Sequence, residues 1–291
     1  MKQNHSKSKE KKHLRISRLR WVIGAPYFVQ GTSTLTEIPI LYFIKFTLQM
    51  GDSGGQLFDA LRQSGWFVKP LWGIISDKIP LWGYHRKSWY ILMAFAATVF
   101  WLLNTLLSFV GLTIPLVYLV TFNLAFATYA FVDVVCDALM VTYGRQAGRV
   151  GSFINFQWAV LALANAGSVY LGGWLQGRIR QDIYEPWVVF LLTGIPPLVT
   201  AVVGIRNIEE ERRSASERPS VAFSLKLSDF GGYVKDWLRR LHAFPAVFRS
   251  FRRNNRPMWL LILFIIFWKF SPSVGYIERS YLIDVRGFTP E

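Results

Sequence analysis

Apolar residues in this chain come in long blocks instead of at amphipathic spacing, and the polar positions collect between the blocks. Blocks of about 18 or more apolar residues are long enough to cross a bilayer. Seven are read along the chain: Trp21 to Leu48, Gln56 to Ile75, Ser88 to Val110, Ile114 to Thr142, Gly151 to Gln176, Trp187 to Ile205 and Met258 to Tyr276. The second and fifth are the least apolar. The pattern predicts an all-α membrane protein with a cytoplasmic arm over 1–20 and a six-helix transmembrane bundle over 21–205. A cytoplasmic loop over 206–256 and a segment 257–291, holding the seventh helix and the start of a further bundle, complete the division.

Charge changes the picture by setting an orientation. The net charge of +15 would suit a nucleic-acid partner, but Lys and Arg gather on alternate connections. Eight lie in the arm, three in the second loop, two in the fourth and twelve in the sixth, against four on the opposite side. Cytoplasmic loops of membrane proteins carry such an excess, so the N-terminus is read as cytoplasmic, the chain's last residue as outside, and nucleic acid is set aside. The apolar run after the arm is too long for a signal-peptide core, which makes it a retained first span; a plastid transit peptide is the alternative for so basic an arm. A single cysteine, Cys136, excludes an internal disulfide.

The loop from Arg206 to Arg256 opens with a charged run at 209–213. In its later part Phe230, Val234, Trp237, Leu241, Phe244, Phe248 and Phe251 fall near one helical face, while Lys235, Arg239, Arg240, Arg249 and Arg252 take the others. A helix over 226–256 of that kind lies on anionic lipid headgroups, in preference to a calmodulin-like or nucleic-acid partner. Pro245 should break or kink it.

Inside the blocks a few ionisable residues stand where hydrocarbon penalises them, at a cost of at least ~2.5 kcal/mol each near the centre. Asp133 and Asp137 are four apart and share a helix face. Counted from the basic loops at ~1.5 Å per residue, both lie at a depth similar to Lys69, so a pair between Lys69 and one aspartate is expected. Either the pair breaks during a transport cycle, or it is fixed and structural, or Asp137 anchors Arg86 or Lys87. Glu37 lies beside Pro39, where a helix bend would open space for a proton site; a satisfied acid facing a polar neighbour is the alternative. Lys269 precedes Pro272 in the seventh block and suits an anionic ligand, or else snorkels to an interface. Gln30, Trp66 and Trp158 offer a hydrogen-bonding group and flat aromatic faces, though packing is the commoner role of such residues.

The second loop reads Gly73-Ile-Ile-Ser-Asp77-Lys78-Ile-Pro80-Leu-Trp-Gly83-Tyr84-His85-Arg86-Lys87. An acid, glycines and a basic pair around a cytoplasmic turn resemble the loop signature of major facilitator transporters. Lys69-Pro70-Leu-Trp-Gly73 leading to Ser76-Asp77, then Gly83-Tyr84-x-Arg86-Lys87, is similar to the folate-biopterin transporter family of that superfamily. Tyr27-Phe-Val-Gln30-Gly31, Asp133-Val-Val-Cys-Asp137-Ala, Ser271-Pro272-Ser273 and Gly287-Phe-Thr-Pro290 agree with it. The pattern departs at Thr142 and Tyr143, near which the family commonly has an acid, and at Glu37.

The resemblance implies a major facilitator fold of twelve spans, of which this chain reaches seven by Glu291, so a fragment or a truncated product is expected. It also implies secondary active transport of a folate or pterin-like anion, and the ionisable residues at depth add coupling to protons through Asp133 or Glu37. Substrate and proton would pass Gln30, Glu37, Lys69, Asp133, Asp137 and Lys269. Gly73, Asp77, Gly83, Arg86 and Lys87 would form a cytoplasmic gating loop. The membrane is read as the plasma or bacterial inner membrane, with a plastid envelope as the alternative. A carrier of another solute and a truncated, non-transporting membrane protein are the rival functions. An enzyme is not expected: all four histidines (His5, His13, His85, His242) lie outside the blocks, and no phosphate loop, nucleophile elbow or metal spacing occurs. No cofactor or metal is expected.

Overall fold

The computed structural model describes residues 2–210, 260, 263–264 and 275–287. The expected helix within 226–256, most of the seventh block with Lys269 and Ser271-Pro272-Ser273, and residues 288–290 lie outside the described residues. Among those described, no strand occurs beyond one isolated bridge between Leu81 and Tyr84.

The helices are α1 (Lys2–Thr32), α2 (Glu37–Tyr42), α3 (Asp52–Phe67), α4 (Lys69–Lys78), α5 (Arg86–Phe109), α6 (Pro115–Ala147), α7 (Val150–Arg180), α8 (Trp187–Asn207) and α9 (Gly275–Asp284). Four of them, α5 to α8, have the length and apolar character to cross a membrane, and the protein is an all-α membrane protein. The first two apolar blocks fold differently, each as a broken helix.

The first break follows from side-chain chemistry. Thr32, Ser33, Thr34 and Thr36 each donate a hydroxyl hydrogen bond to the carbonyl three residues back, at 2.7–3.1 Å. Such back-bonding competes with the α-helical ladder and favours a tighter turn. Ser33–Thr36 are a 3-10 turn accordingly, and Pro39 just beyond lacks the N–H that Leu35 would otherwise receive. After α2 the chain continues through a π turn at Phe43–Thr47. The second break falls at Val68, which ends α3 and precedes Lys69-Pro70 at the start of α4. Proline is favoured in a first helical turn and disfavoured beyond it, so the break sits where Pro70 costs least. The Trp72 indole N–H donates to the Gly65 carbonyl at 2.9 Å, supplying a donor where the ladder is interrupted.

α6 is the central element, with 67% of its apolar window buried against 28% for α5 and α7. Around its first half Phe43, Phe58, Trp101, Tyr118, Phe122 and Phe190 form an aromatic core, mostly edge-on or tilted, with centroids 4.9–6.4 Å apart. Around its second half Val22, Ile23, Tyr27, Tyr90, Phe131, Val135, Leu139 and Phe153 form another. α5 packs chiefly on α8 and α6, and α1 on α7 and α8.

Pro26 interrupts α1 within this second core and cannot donate to the Val22 carbonyl. The buried Tyr90 hydroxyl of α5 donates to that carbonyl at 2.9 Å, and the Cys136 thiol approaches it at 3.8 Å. Tyr90→Phe is expected to orphan the carbonyl and cost about 1 kcal/mol. A lower midpoint of thermal unfolding in detergent would record the loss, and an unchanged one would mean that the thiol alone suffices.

Candidate functional site: a buried ion pair between two charged ends

Asp133 lies on α6 between the two cores, with a side chain 3% exposed. An isolated carboxylate cannot remain charged in such a place without a partner. Lys69 Nζ stands 2.6 Å from Asp133 Oδ2, and Gln30 Nε2 donates to Oδ1 at 2.7 Å. Three elements therefore converge on one carboxylate: α6 supplies it, the start of α4 brings the ammonium, and α1 brings the amide.

The break at Val68 is what aims the lysine. Gly65, one turn earlier, faces α6 so closely that a Cβ there would meet the Ala127 Cα at 2.9 Å, so only glycine lets the helices approach to this distance. Lys69 itself is open on one side, with its side chain 35% exposed, and its ammonium lies 4.4 Å from the centre of the Trp66 ring. A cation over an aromatic face is stabilised by the ring quadrupole. Asp137, one turn along α6, accepts the Tyr27 hydroxyl at 3.0 Å. Tyr27, Gln30, Lys69, Asp133 and Asp137 thus form one polar layer inside an apolar bundle. Trp158 of α7 is 59% exposed.

At the end of the bundle holding the α4–α5 loop, Leu81 and Tyr84 exchange two backbone hydrogen bonds of 2.9 Å around Trp82 and Gly83. Both central residues have positive φ, 53° and 87°. This left-handed pair makes a two-residue hairpin turn, which Gly83 adopts freely and Trp82 at some strain. Arg86 then reaches Asp77 with its Nε and Nη2, both at 3.3 Å, and donates through Nη1 to the Ala138 carbonyl and the Thr142 hydroxyl at 3.2 and 2.7 Å. Gly73 packs toward Val134 of α6, which a Cβ would meet at an ordinary 3.7 Å.

Glu210 was not among the residues singled out, yet its carboxylate accepts the backbone N–H groups of His85, Arg86 and Lys87 at 2.7–3.1 Å. It caps the N-terminus of α5, where a helix exposes unpaired donors and a positive dipole end. Arg18 pairs with the neighbouring Glu209. The acidic run after α8 was legible in the sequence; its target was not.

Glu37 stands toward the opposite end, 3.1 Å from Arg279 and 3.9 Å from Arg62. Asp59 completes this group, 3.0 Å from Arg62 and 3.9 Å from Arg279. Asp59, Arg62 and Arg279 were missed, because nothing in a one-dimensional pattern brings positions 37, 59 and 279 together. An acid and a base three residues apart in the second block, Asp59 and Arg62, were the available signal.

A helical membrane protein with a lysine–aspartate pair in its core and ionic contacts at both ends belongs to the class of multi-pass proteins that hold charge at membrane depth. Comparison with known proteins narrows the class. The family model described as "BT1 family" matches residues 30–268, and the chain belongs to that family. It is 26% identical over 267 residues to the folate-biopterin transporter of Synechocystis, covering 91% of this chain and 48% of that protein. It is 29% identical to the protein named "Probable folate-biopterin transporter 7" of Arabidopsis thaliana, over 78% of this chain and 50% of that one. It is also 22% identical to folate transporter 1 of Plasmodium falciparum, over 90% and 46% respectively. The chain spans about half the length of the curated relatives it matches. No solved structure matches it.

The pair makes a stability prediction. Lys69→Ala, which strands the buried Asp133 carboxylate, should destabilise the protein more than the Lys69→Ala/Asp133→Ala double variant does, with a coupling of about 0.5–3 kcal/mol between the two positions. A double-variant cycle of unfolding midpoints in detergent measures it; additive effects would mean that the two charges do not interact.

Proposed function

We propose that this chain forms the first part of a secondary transporter of major facilitator fold, and that the transporter carries folate or pterin-like organic anions. The observation that carries the reading is the 2.6 Å pair between a buried carboxylate and a lysine open on one side. The names of the relatives support the cargo, and the alternation of basic loops supports a cytoplasmic N-terminus in a plasma or bacterial inner membrane.

The chemistry runs as an exchange of partners. An arriving carboxylate competes with Asp133 for the Lys69 ammonium, while the Trp66 ring beside it offers a flat face to a heterocycle. Asp133, released from its cation, is the carboxylate to which the coupled proton is assigned. Substrate and proton then travel together, and the pair re-forms when both leave. Gln30 orients the carboxylate throughout, and Asp137 with Tyr27 extends the polar path along α6. Lys269, outside the described residues, keeps its assignment to the substrate path on the sequence alone.

The loop residues Gly73, Asp77, Gly83, Arg86 and Lys87 act as the cytoplasmic gate. Arg86 ties α4 to α6 through Asp77, Ala138 and Thr142, so a change in the tilt of α4 alters all three contacts. An alternating carrier needs such contacts to be individually weak, and partly exposed ion pairs are worth only about 0–1 kcal/mol each.

Uptake of labelled folate and biopterin by cells expressing the natural full-length protein tests the reading. Saturable uptake, faster at acidic external pH, is expected. Lys69→Gln should reduce it at least tenfold, and Asp133→Asn should remove its pH dependence. Uptake of an unrelated solute alone would overturn the cargo, and uptake of nothing would favour a non-transporting membrane protein.

A further inference from the structure

A cavity of about 440 Å³ lies where α7 ends and α8 begins, and no member of the Lys69–Asp133 layer lines it. It forms where two packed elements part. At Gly172 a Cβ on α7 would meet the Leu35 carbonyl oxygen at 2.4 Å, so there the helix touches the 3-10 turn. One turn later the same face of α7 carries Gln176, then Ile179 and Arg180, and these line the cavity. The facing wall is Pro39, Tyr42, Phe43 and Phe46, one helical face carried from α2 into the π turn.

Three properties of the lining select a ligand. The first is a flat apolar wall: Tyr42 and Phe43 are buried, and the ring of Phe46, 55% exposed at the mouth, has its centroid 5.3 Å from that of Tyr42. The second is Gln176, only 4% exposed, whose amide has no hydrogen-bond partner among the described residues. Leaving a buried polar group unpaired costs about 1–3 kcal/mol, so the cavity favours a ligand that offers an acceptor and a donor side by side. The third is Arg180. Its neighbour Arg178 is engaged, with its guanidinium 5.5 Å from the centre of the Trp174 ring and a hydrogen bond of 3.3 Å to Gln181. Arg180 forms no ion pair among the described residues, and Asp284, beside the lining residue Ile283, is taken by Lys45. A free guanidinium fork matches a carboxylate in shape and charge.

We propose that this cavity is a second binding site for a planar heterocyclic anion, with the ring edge on Gln176, the ring face on Tyr42 and Phe46, and the carboxylate on Arg180. Its volume falls in the range of small-molecule sites, about 300–1,000 Å³, and apolar walls with a few convergent polar groups are the usual make-up of such sites. A lipid acyl chain would suit the walls but leave the amide unpaired, whereas a heterocycle with adjacent ring N–H and carbonyl groups satisfies both ends of it. Trp174 packs on Tyr184 and Trp187 on Phe109 at this end of the bundle, an aromatic cluster of the kind found at a membrane–water boundary. The site is therefore reached from water. The inference rests on the transport reading and deepens it: the chemical class that Lys69 receives in the core is met at Arg180 by a separate site near the surface.

The test uses pterin-6-carboxylate, a heterocycle and a carboxylate without a tail, titrated by fluorescence anisotropy against the full-length protein in lipid nanodiscs. The protein carries Lys69→Gln, which removes the core site. Saturable binding should remain, and adding Arg180→Gln should weaken it at least tenfold, Gln176→Leu at least fivefold, and Arg180→Lys less than Arg180→Gln. An unchanged midpoint of thermal unfolding in each variant shows that lost binding is not lost folding. No binding in Lys69→Gln, or binding indifferent to Arg180 and Gln176, would overturn the second site and leave the transport reading standing. A phospholipid retained in native mass spectra and lost in Arg180→Gln, with no pterin bound, would overturn it in favour of a lipid. Arg180-dependent binding by a protein that carries neither folate nor biopterin would keep the second site and sink the transport reading.

Discussion

The contact on which the rest of the structure depends is the pairing of the buried Asp133 carboxylate with Lys69 inside an apolar bundle. Removing an ion from water costs several kcal/mol even after relaxation, and the cost is recovered only with a close counter-ion and full hydrogen bonding. Both are supplied: an ammonium at 2.6 Å and an amide at 2.7 Å. The supply makes demands on the backbone. Lys69 must leave the apolar path of its own segment, which the break at Val68 permits, and α3 must lie against α6, which Gly65 permits.

The same constraint explains why the first two apolar blocks are broken while the next four are continuous. α5 to α8 bury mainly apolar faces, α6 holding Asp133 and Asp137 within a regular helix, and such a helix does this best because it satisfies its own backbone. The broken segments carry Glu37, Lys45, Asp59, Arg62 and Lys69, which need particular partners. A break lets each half rotate its charges toward them, and the liberated carbonyls find other donors, as the Gly65 carbonyl does from Trp72. Charge then falls at three levels: the α9 contact, the Lys69–Asp133 layer and the Arg86 loop. An element touching all three can relate events at one level to another, and the α3–α4 segment is that element.

Much of this was legible in one dimension, and the remainder fails for identifiable reasons. The apolar blocks that became α5 to α8 depend on length and composition, which sequence carries directly. Lys69 with an aspartate was legible too, because helical rise converts residue counts into depth. The 3-10 turn was written in Thr32, Ser33, Thr34 and Thr36, a run of hydroxyl residues that competes with the helix, but the bend was sought at Pro39. Glu210 and Arg279 were beyond reach. A carboxylate that caps α5 from 123 or more residues away, and an arginine that meets Glu37 across 242, depend on tertiary packing that no local pattern encodes.

The exchange of partners at Lys69 is open to one direct measurement: equilibrium binding of folate to the purified full-length protein and to two variants. If the anion replaces Asp133 at the ammonium, Lys69→Gln weakens binding at least tenfold. Asp133→Asn, which removes the competitor, binds at least as tightly as the unaltered protein. Loss of binding in Asp133→Asn, or no loss in Lys69→Gln, would contradict the exchange and return the pair to a purely structural role.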